Sequence, residues 1–234
     1  MNKKIFFIAS CFLAAFLAMG FYPAGDNKTI ALAVKVILDV SKKSEKVDWT
    51  KAKKGEMLYS GDEVRTGERS IAIVKFLDNS MLRVREKSEL KVYGQNKDGK
   101  FSKTVHMNKG EFSFDIQKQE NEQFIFTSPT SVAAIRGTQG EMTNLSDGDK
   151  LTVLEGLVSF LNTLSNTTID VGAGETGFSG KDGSISKHAA SADELNNVSN
   201  SINSGKGKGD IKELQIEVKD KEGNKKLMKI RYRE

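Results

Sequence analysis

The chain has 234 residues, of which 38% are hydrophobic and 29% charged, with a formal net charge of +5. That length suits one sizeable domain with an appendage, and the composition is that of a globular, soluble body once the N-terminal segment is set aside. The basic excess lies at the ends: residues 1–33 carry +2, residues 205–234 carry ten bases against six acids, and the body is slightly acidic, which argues against a nucleic-acid-binding domain.

Lys3 and Lys4 precede Ile5–Tyr22, a run without charge that contains small residues near its end. This is the layout of a secretory signal. Ala18-x-Gly20 and Ala31-x-Ala33 both offer cleavage sites. The competing reading is an uncleaved anchor, since the run is near bilayer-spanning length; the small residues favour cleavage. Ile8-Ala9-Ser10-Cys11 reads like a lipoprotein box behind an apolar run shorter than usual. Cys11 is the single cysteine, so no disulfide forms within the chain. The expected location is extracytoplasmic, periplasmic or secreted, with an uncleaved leader or a lipid on Cys11 as the routes to a membrane.

Val34–Val40 alternates as a first strand. Ser41–Lys54 is charged and holds Trp49, which either caps an end of the core or is exposed for binding. Gly55–Gly67 contains two short strands around Gly61-Asp62, and Asp62 is placed to bond backbone amides in an Asx-type turn. Ser70–Leu77 and Met81–Val84 form a hairpin through Asp78-Asn79-Ser80, with Ile71, Ile73 and Lys75 on one face and Ala72, Val74 and Phe76 on the other. Asn79 tolerates the positive φ that such a turn requires. Ser88–Val92 is a strand and Gln95–Lys100 a loop or hairpin tip. Val105–Lys109 and Glu111–Ile116 are expected to pair around Gly110.

Phe124–Thr127 and Val132–Thr138 read as strands joined by a bend at Pro129, which cannot donate to a ladder. Arg136 is either a solvated residue or a buried fork; the small neighbours Ala133, Ala134 and Gly137 favour the fork, with Glu155 as its partner. Glu141–Leu145 returns through Ser146–Asp149 to Leu151–Leu154, and Val158–Leu161 and Thr168–Val171 continue the spacing. Short strands with turns every eight to twelve residues predict an all-β fold, an antiparallel β-sandwich or β-roll, and no helix-period segment suggests a parallel α/β sheet. Ser179–Ala190 reads as Gly/Ser-rich linker. Ser191–Glu194 is a capping-box pattern opening a short C-terminal helix with Leu195, Val198 and Ile202 on one stripe. Leu214–Val218 and Met228–Tyr232 form a basic terminal β-hairpin, which must dock on the body or on a partner. The expected divisions are a signal peptide or anchor at 1–33, a β domain at 34–178, a linker with short helix at 179–209 and the hairpin at 210–234.

Five motifs in this order resemble the FecR domain. Gly61-Asp62-Glu63-Val64-Arg65-Thr66-Gly67 is similar to its "GD-x-V-R-T-G", and Leu77-Asp78-Asn79-Ser80 to its "x-D-G-S" turn, with Asn79 where the family usually has Gly. Thr127–Met142 resembles its threonine-proline, small-apolar strand and Arg-Gly-Thr, here Arg136-Gly137-Thr138. Glu155-Gly156 within Val153–Val158 and Ala173-Gly174-Glu175 are similar to its "V-x-E-G-x-V" and "A-G-E". The resemblance implies an extracytoplasmic sensing or protein-interaction role. In the family's best-known members it implies a relay from an outer-membrane iron transporter to a cytoplasmic sigma factor. Only four residues precede the apolar run, so the relay's cytoplasmic segment is not expected here.

The chemistry of an enzyme is missing from the pattern. His106 and His188 stand near no nucleophile motif, and no cysteine follows the leader. Gly172-Ala-Gly174-Glu-Thr-Gly177 matches a dinucleotide loop by letters, yet nothing after it can form the required helix and Glu175 would repel a pyrophosphate. Asp62 has no second ligand at metal-binding spacing. Glu155 and Glu175 form no recognisable pair, although sequence does not give their separation. We therefore expect no catalytic residues, no cofactor and no metal. The motif residues Gly61, Asp62, Arg65, Asp78, Asn79, Arg136, Gly137, Thr138, Glu155 and Gly156 are structural or interaction candidates. The expected function is an exported, non-catalytic module for protein interaction, scaffolding or sensing in the cell envelope. The alternatives are the periplasmic part of a sigma-factor and iron-transport signalling system, or a binder of anionic envelope polymer through the basic hairpin. The expected partner is another envelope protein rather than nucleic acid, with free sheet edges offering strand addition.

Overall fold

A computed structural model describes residues 29–97, 100–118, 122–204, 211–219 and 225–233. The leader and Cys11 lie outside the described residues. The strands are β1 (Thr29–Ile37), β2 (Val40–Lys43), β3 (Thr50–Lys51), β4 (Glu56–Tyr59), β5 (Glu63–Thr66), β6 (Ile71–Phe76), β7 (Met81–Val84), β8 (Glu89–Lys97), β9 (Lys100–Ile116), β10 (Glu122–Thr127), β11 (Ser131–Ile135), β12 (Thr138–Asn144), β13 (Gly148–Glu155), β14 (Leu157–Asn162), β15 (Thr167–Gly172), β16 (Glu175–Gly180) and β17 (Ile185–Ala189). Helix α1 (Ala192–Asn203) and the hairpin strands β18 (Ile211–Lys219) and β19 (Lys225–Arg233) follow.

The fold is all-β and built as two layers. In the first, the order is β4-β1-β6-β7-β9-β12-β13-β16-β17. In the second it is β3-β2-β5-β8-β9-β10-β11-β14-β15. Pairing is antiparallel except between β9 and β10. The long strand β9 belongs to both layers. Its first half pairs with β8 and β10, its second with β7 and β12. The bend is at Gly110, where φ is 98° and a Cβ would lie 2.2 Å from Ser88 Oγ. The two segments expected to pair with each other around Gly110 are thus one continuous strand.

The core fills the space between the layers. Phe76, Leu82, Phe112, Phe114, Met142 and Leu151 face inward from the first layer, and Leu90, Val105, Phe124, Phe126, Val158 and Phe160 from the second. Their centre is aromatic. Phe76 meets Phe124 edge-on at 4.9 Å, and Phe126 meets Phe112 at 4.8 Å and Phe114 at 4.9 Å, a geometry favoured by the ring quadrupoles.

The chain repeatedly crosses between layers, and a left-handed residue marks each described crossing. These are Leu38 (φ 59°), Gly55 (85°), Gly61 (92°), Arg69 (54°), Lys87 (57°), Gly110, Gly137 (62°), Gly156 (95°) and Gly174 (79°). Strands that switch sheets through such bends are the corners of an orthogonally folded roll.

Four further expectations change. The first strand begins at Thr29 and ends before the corner at Leu38. Ala31 and Ala33 are buried within it, so cleavage after Ala33 would sever β1 and the leader division at 1–33 overlaps the fold. Ser179–Ala190, read as linker from its composition, completes β16 and supplies β17, which pairs with β16 from Ser179↔Ile185 to Glu175↔Ala189. Residues 95–97 extend β8 and Lys97 pairs with Lys100 of β9, so the expected hairpin tip is there but shorter than Gln95–Lys100. The terminal hairpin packs Ile230 against Leu32, with Val34, Met57 and Leu77 around them, on the outer face of the first layer.

Gly156 tests the corner rule. A Cβ there would stand 2.8 Å from Gly137 O and 2.7 Å from Thr138 Oγ1. Gly156→Ala is expected to lower stability by about 2–3 kcal/mol, read as a lower urea midpoint with an unchanged slope.

Candidate functional site

The motif residues are spent on corners and turns. Asp62, buried at the β4–β5 crossing, accepts from Tyr59 N at 2.9 Å and lies 3.2 Å from Lys42 Nζ. Arg65 is exposed on β5, its guanidinium 4.2 Å from the ring centre of half-buried Trp49. Thr66 closes the next corner by donating to Arg85 O and accepting from Ser88 N at 3.0 Å. Asn79 takes φ 71° in the β6–β7 turn. Gly137, Thr138 and Gly156 meet where the β11–β12 and β13–β14 crossings touch, and Thr138 Oγ1 donates to Leu157 O at 3.3 Å. Glu175 accepts from Gly172 N at 2.7 Å and from Lys187 Nζ at 2.9 Å, and these bonds hold its carboxyl below the usual range.

Arg136 is not a buried fork. It is exposed, as is Glu155, and no ion pair joins them among the described residues. The small neighbours reflect a sharp change of layer at Gly137, not space reserved for a guanidinium. A buried pair lies elsewhere. Lys103, 2% exposed, reaches Asp78 Oδ2 at 2.8 Å, and Asp78 also accepts from Ser80 N at 3.0 Å and Ser80 Oγ at 2.9 Å.

Two further polar groups are buried with full complements of partners. Asp149 is 0% exposed. Its Oδ2 accepts from the hydroxyls of Ser128, Thr130 and Ser131, and its Oδ1 from Asn144 Nδ2 at 2.8 Å. This clasp ties the turn around Pro129 to the start of β13. Asn162 donates to Ser179 Oγ and Gly180 O, both at 2.8 Å, and accepts from Leu164 N and Ser165 N at 3.0 Å.

The arrangement not accounted for by such fastening is the outer face of the first layer. Cross-strand partners Ile73, Arg83, Ser113, Glu141, Thr152 and Thr176 form a continuous row from β6 to β16. Helix α1 lies over part of it. The helix starts with a full capping box, Ser191 Oγ accepting from Glu194 N and Glu194 Oε2 from Ser191 N at 2.9 Å. It buries Val198, Ser201 and Ile202, and Ser201 Oγ bonds Ser113 Oγ at 2.9 Å. A cavity of about 520 Å³ remains between helix and sheet, lined in part by Arg85, Glu111, Glu141, Lys150, Glu194 and Ser201.

Glu141 is 9% exposed. Burial, and then the Glu111 carboxylate, push its carboxyl up to about 7, while Arg85, Lys150 and a bond from Ser201 act the other way. Arg83, 2% exposed, lies one strand from Ser113; burial lowers its pKa and the Asp115 carboxylate opposes that. The strip escaped the sequence reading because its members alternate with core residues and so pass for solvated positions. The available signal was β6, where Ile71 and Ile73 are apolar on the face opposite Val74 and Phe76. Among the described residues no group of three or more His, Cys, Asp or Glu side chains could hold a metal ion, and no helix is long and apolar enough to cross a membrane.

Two predictions separate these groups. Asp78→Ala breaks the buried pair with Lys103 and the turn bonds from Ser80 and is expected to cost about 3–5 kcal/mol, whereas Arg136→Ala should unfold within about 0.5 kcal/mol of the native chain. Glu141 sets a pH dependence. Its folded pKa exceeds the ordinary 4.5, so between 4.5 and about 7 the native state holds a proton that the unfolded chain has lost. Its contribution to stability is therefore most favourable below 4.5, declines through that window and is level above about 7, a total on the order of 3 kcal/mol. Urea midpoints of Glu141→Gln should exceed the native midpoint near pH 8 and lack this slope.

Comparison with known proteins bears on the matched body. Residues 62–159 match the family described as FecR protein. The fold is similar to that of a putative anti-sigma factor from Parabacteroides distasonis ATCC 8503, with a TM-score of 0.48 and 15% identity over 57% of this chain and 62% of that one. A second structure of a putative anti-sigma factor from that organism gives 0.49 and 14% over the same shares. No curated protein sequence matches the chain. The match takes in four of the five resembling motifs and ends after the Glu155-Gly156 corner: the chain carries a FecR domain over residues 62–159.

Proposed function

We propose that the chain is an exported, non-catalytic FecR-domain module that senses or signals by binding another protein of the cell envelope. The observation that carries this reading is the FecR match, in a domain whose motif residues fasten corners rather than assemble a reactive centre. Residues that only shape a domain leave its faces and edges as the working parts. The N-terminal layout of Lys3, Lys4 and the apolar run supports export. Among the described residues β15 pairs only with β14 and β17 only with β16. Both present an edge to which an extended partner segment can add, main-chain bonds giving affinity and alternate side chains specificity. Within this reading, the family resemblance favours a signalling system that ends on a sigma factor.

The test is recovery of the tagged full chain from fractionated native cells after brief cross-linking. It should be found in the envelope fraction, joined to one recurrent envelope protein. Cytoplasmic recovery would overturn the export, and turnover of a substrate by the purified chain would overturn the non-catalytic assignment. Retention on anionic polymer that vanishes with added salt, without a protein partner, would overturn protein binding in favour of electrostatic polymer recognition.

A further inference from the structure

We propose that the outer edge of β17 is where the chain receives its partner, an extended segment of a different protein that adds to the first layer as one more strand. The inference deepens the protein-binding reading above and rests on it, and it selects one of the two edges named there.

Among the described residues the edge strands of the two layers are β3, β4, β15 and β17, and the first three are short or already in use. β3 is two residues long. On β4, Met57 O accepts from Lys42 Nζ at 2.8 Å and Tyr59 N donates to Asp62 Oδ2 at 2.9 Å. On β15 the pairing pattern fixes which groups point outward. Thr163 N bonds Thr130 O beside β11, and the direction of main-chain bonding alternates along a strand. β14 therefore meets β15 through Val158, Phe160 and Asn162, opposite Val171, Ile169 and Thr167. Thr168, Asp170 and Gly172 turn their N–H and C=O groups away from β14. Gly172 N is taken by Glu175 Oε2 at 2.7 Å, and Asp170 O by Lys187 Nζ at 2.8 Å. A strand arriving on β15 would have to break both bonds. Short edges, and charged side chains laid across longer ones, are ways a folded chain blocks such pairing.

β17 lacks such protection. Gly180 N bonds Ser184 O and Ala190 N bonds Gly174 O, both at 2.8 Å. With Phe178↔Ser186 and Thr176↔His188 in register between them, the ladder to β16 uses Ser184, Ser186, His188 and Ala190. Ile185, Lys187 and Ala189 turn outward, and nothing among the described residues bonds their N–H or C=O groups. Ser186–Ala189 is exposed throughout. The Lys187 ammonium, held by Asp170 O and by Glu175 Oε2 at 2.9 Å, is served within the chain and sets no bare cation in the path of an incoming strand. A row of alternating main-chain donors and acceptors at strand spacing is complemented by the backbone of an extended segment. The register that pairs the whole of β17 with a second copy sets Lys187 opposite Lys187, and like charges directly opposed are unfavourable. The occupant is therefore a different protein. Its residue facing Ile185, which packs against the core between the layers, is apolar, and those beside exposed Ser186 and His188 are polar.

The test places a photo-cross-linking residue, p-benzoylphenylalanine, at Ser186 on β17 or at Thr168 on β15 of the full chain in native cells. The Ser186 position should give an adduct with one envelope protein, and the Thr168 position none. A second arm removes one outward donor. Ala189→Pro deletes an N–H that takes no part in the β16 ladder, a change that edge strands tolerate, so the urea midpoint should stay at the native value while the Ser186 adduct is lost. Ala189→Val keeps that N–H and should keep the adduct. If Ala189→Pro lowers the midpoint, the comparison of Ser186 with Thr168 decides alone. A Thr168 adduct as strong as that from Ser186, or a Ser186 adduct undiminished by Ala189→Pro, would overturn the assignment to β17. An adduct at twice the chain's own mass would put a second copy on the edge and overturn it too. Silence at Ser186, with an envelope protein still recovered by chemical cross-linking of the native chain, would remove β17 and leave the module reading standing. Absence of an envelope partner by either route would remove that reading itself.

Discussion

The constraint on which this structure depends is the left-handed corner. A polypeptide whose successive strands alternate between two layers must reverse its twist abruptly, and L-residues resist the backbone conformation that does so. Here glycine supplies it at Gly55, Gly61, Gly110, Gly137, Gly156 and Gly174, and Leu38, Arg69 and Lys87 adopt it without that freedom. Those three strained positions are adjacent in space. Gly67 N bonds Asp39 O at 2.8 Å, Lys87 N bonds Gly67 O at 3.2 Å, and Ser88 Oγ bridges to Glu111 N at 2.9 Å. Each corner is thus held by its neighbour, which is how strain of this kind persists. The FecR motifs fall on the same places, and their shared letters mark where the chain changes layer.

Crossing layers gives one core between two sheets, but the C-terminal elements add a second buried surface outside the first sheet. The two surfaces have opposite chemistry. Between the layers the contacts are aromatic and aliphatic, and polar groups that penetrate are fully served, as at Asp149 and Asn162. On the outer face stand a hydroxyl row, a carboxyl pushed up to about 7 beside the helix and a buried guanidinium without a hydrogen-bond partner, while the hairpin covers Leu32. A surface that existed only to be covered would gain more from aliphatic residues.

The all-β class, the β6–β7 hairpin, the β12–β13 turn, the capping box and the terminal hairpin were legible because each is written locally, in alternation or turn chemistry. The corners were only half legible. Gly110 was visible as a break, but a glycine in a strand pattern signals a hairpin and a bend alike, and what decides is the pairing of the flanks with β8 and β7, which is not local. Arg136 failed for the same reason: small neighbours look like room for a side chain when they are room for a corner. Ser179–Ala190 looked like linker because Gly and Ser dominate it, yet Gly180 would clash with Ser184 if it bore a Cβ, so the composition serves close strand approach.

The division between matched and unmatched residues says where this chain's individuality lies. Arg83, Ser113 and Glu141 are inside the FecR segment, whereas α1 is outside it. The domain therefore supplies the strip, and the following segment supplies its cover. Such a cover is coupled to Glu141 in both directions. Closure raises the carboxyl's affinity for a proton, and protonation in turn favours closure, by the same factor. The helix that shields this carboxyl is itself held by two aliphatic side chains, one hydroxyl bond and the distant contacts of Glu194 with Lys150 and His188, so the proton on Glu141 is a sizeable part of what keeps it in place.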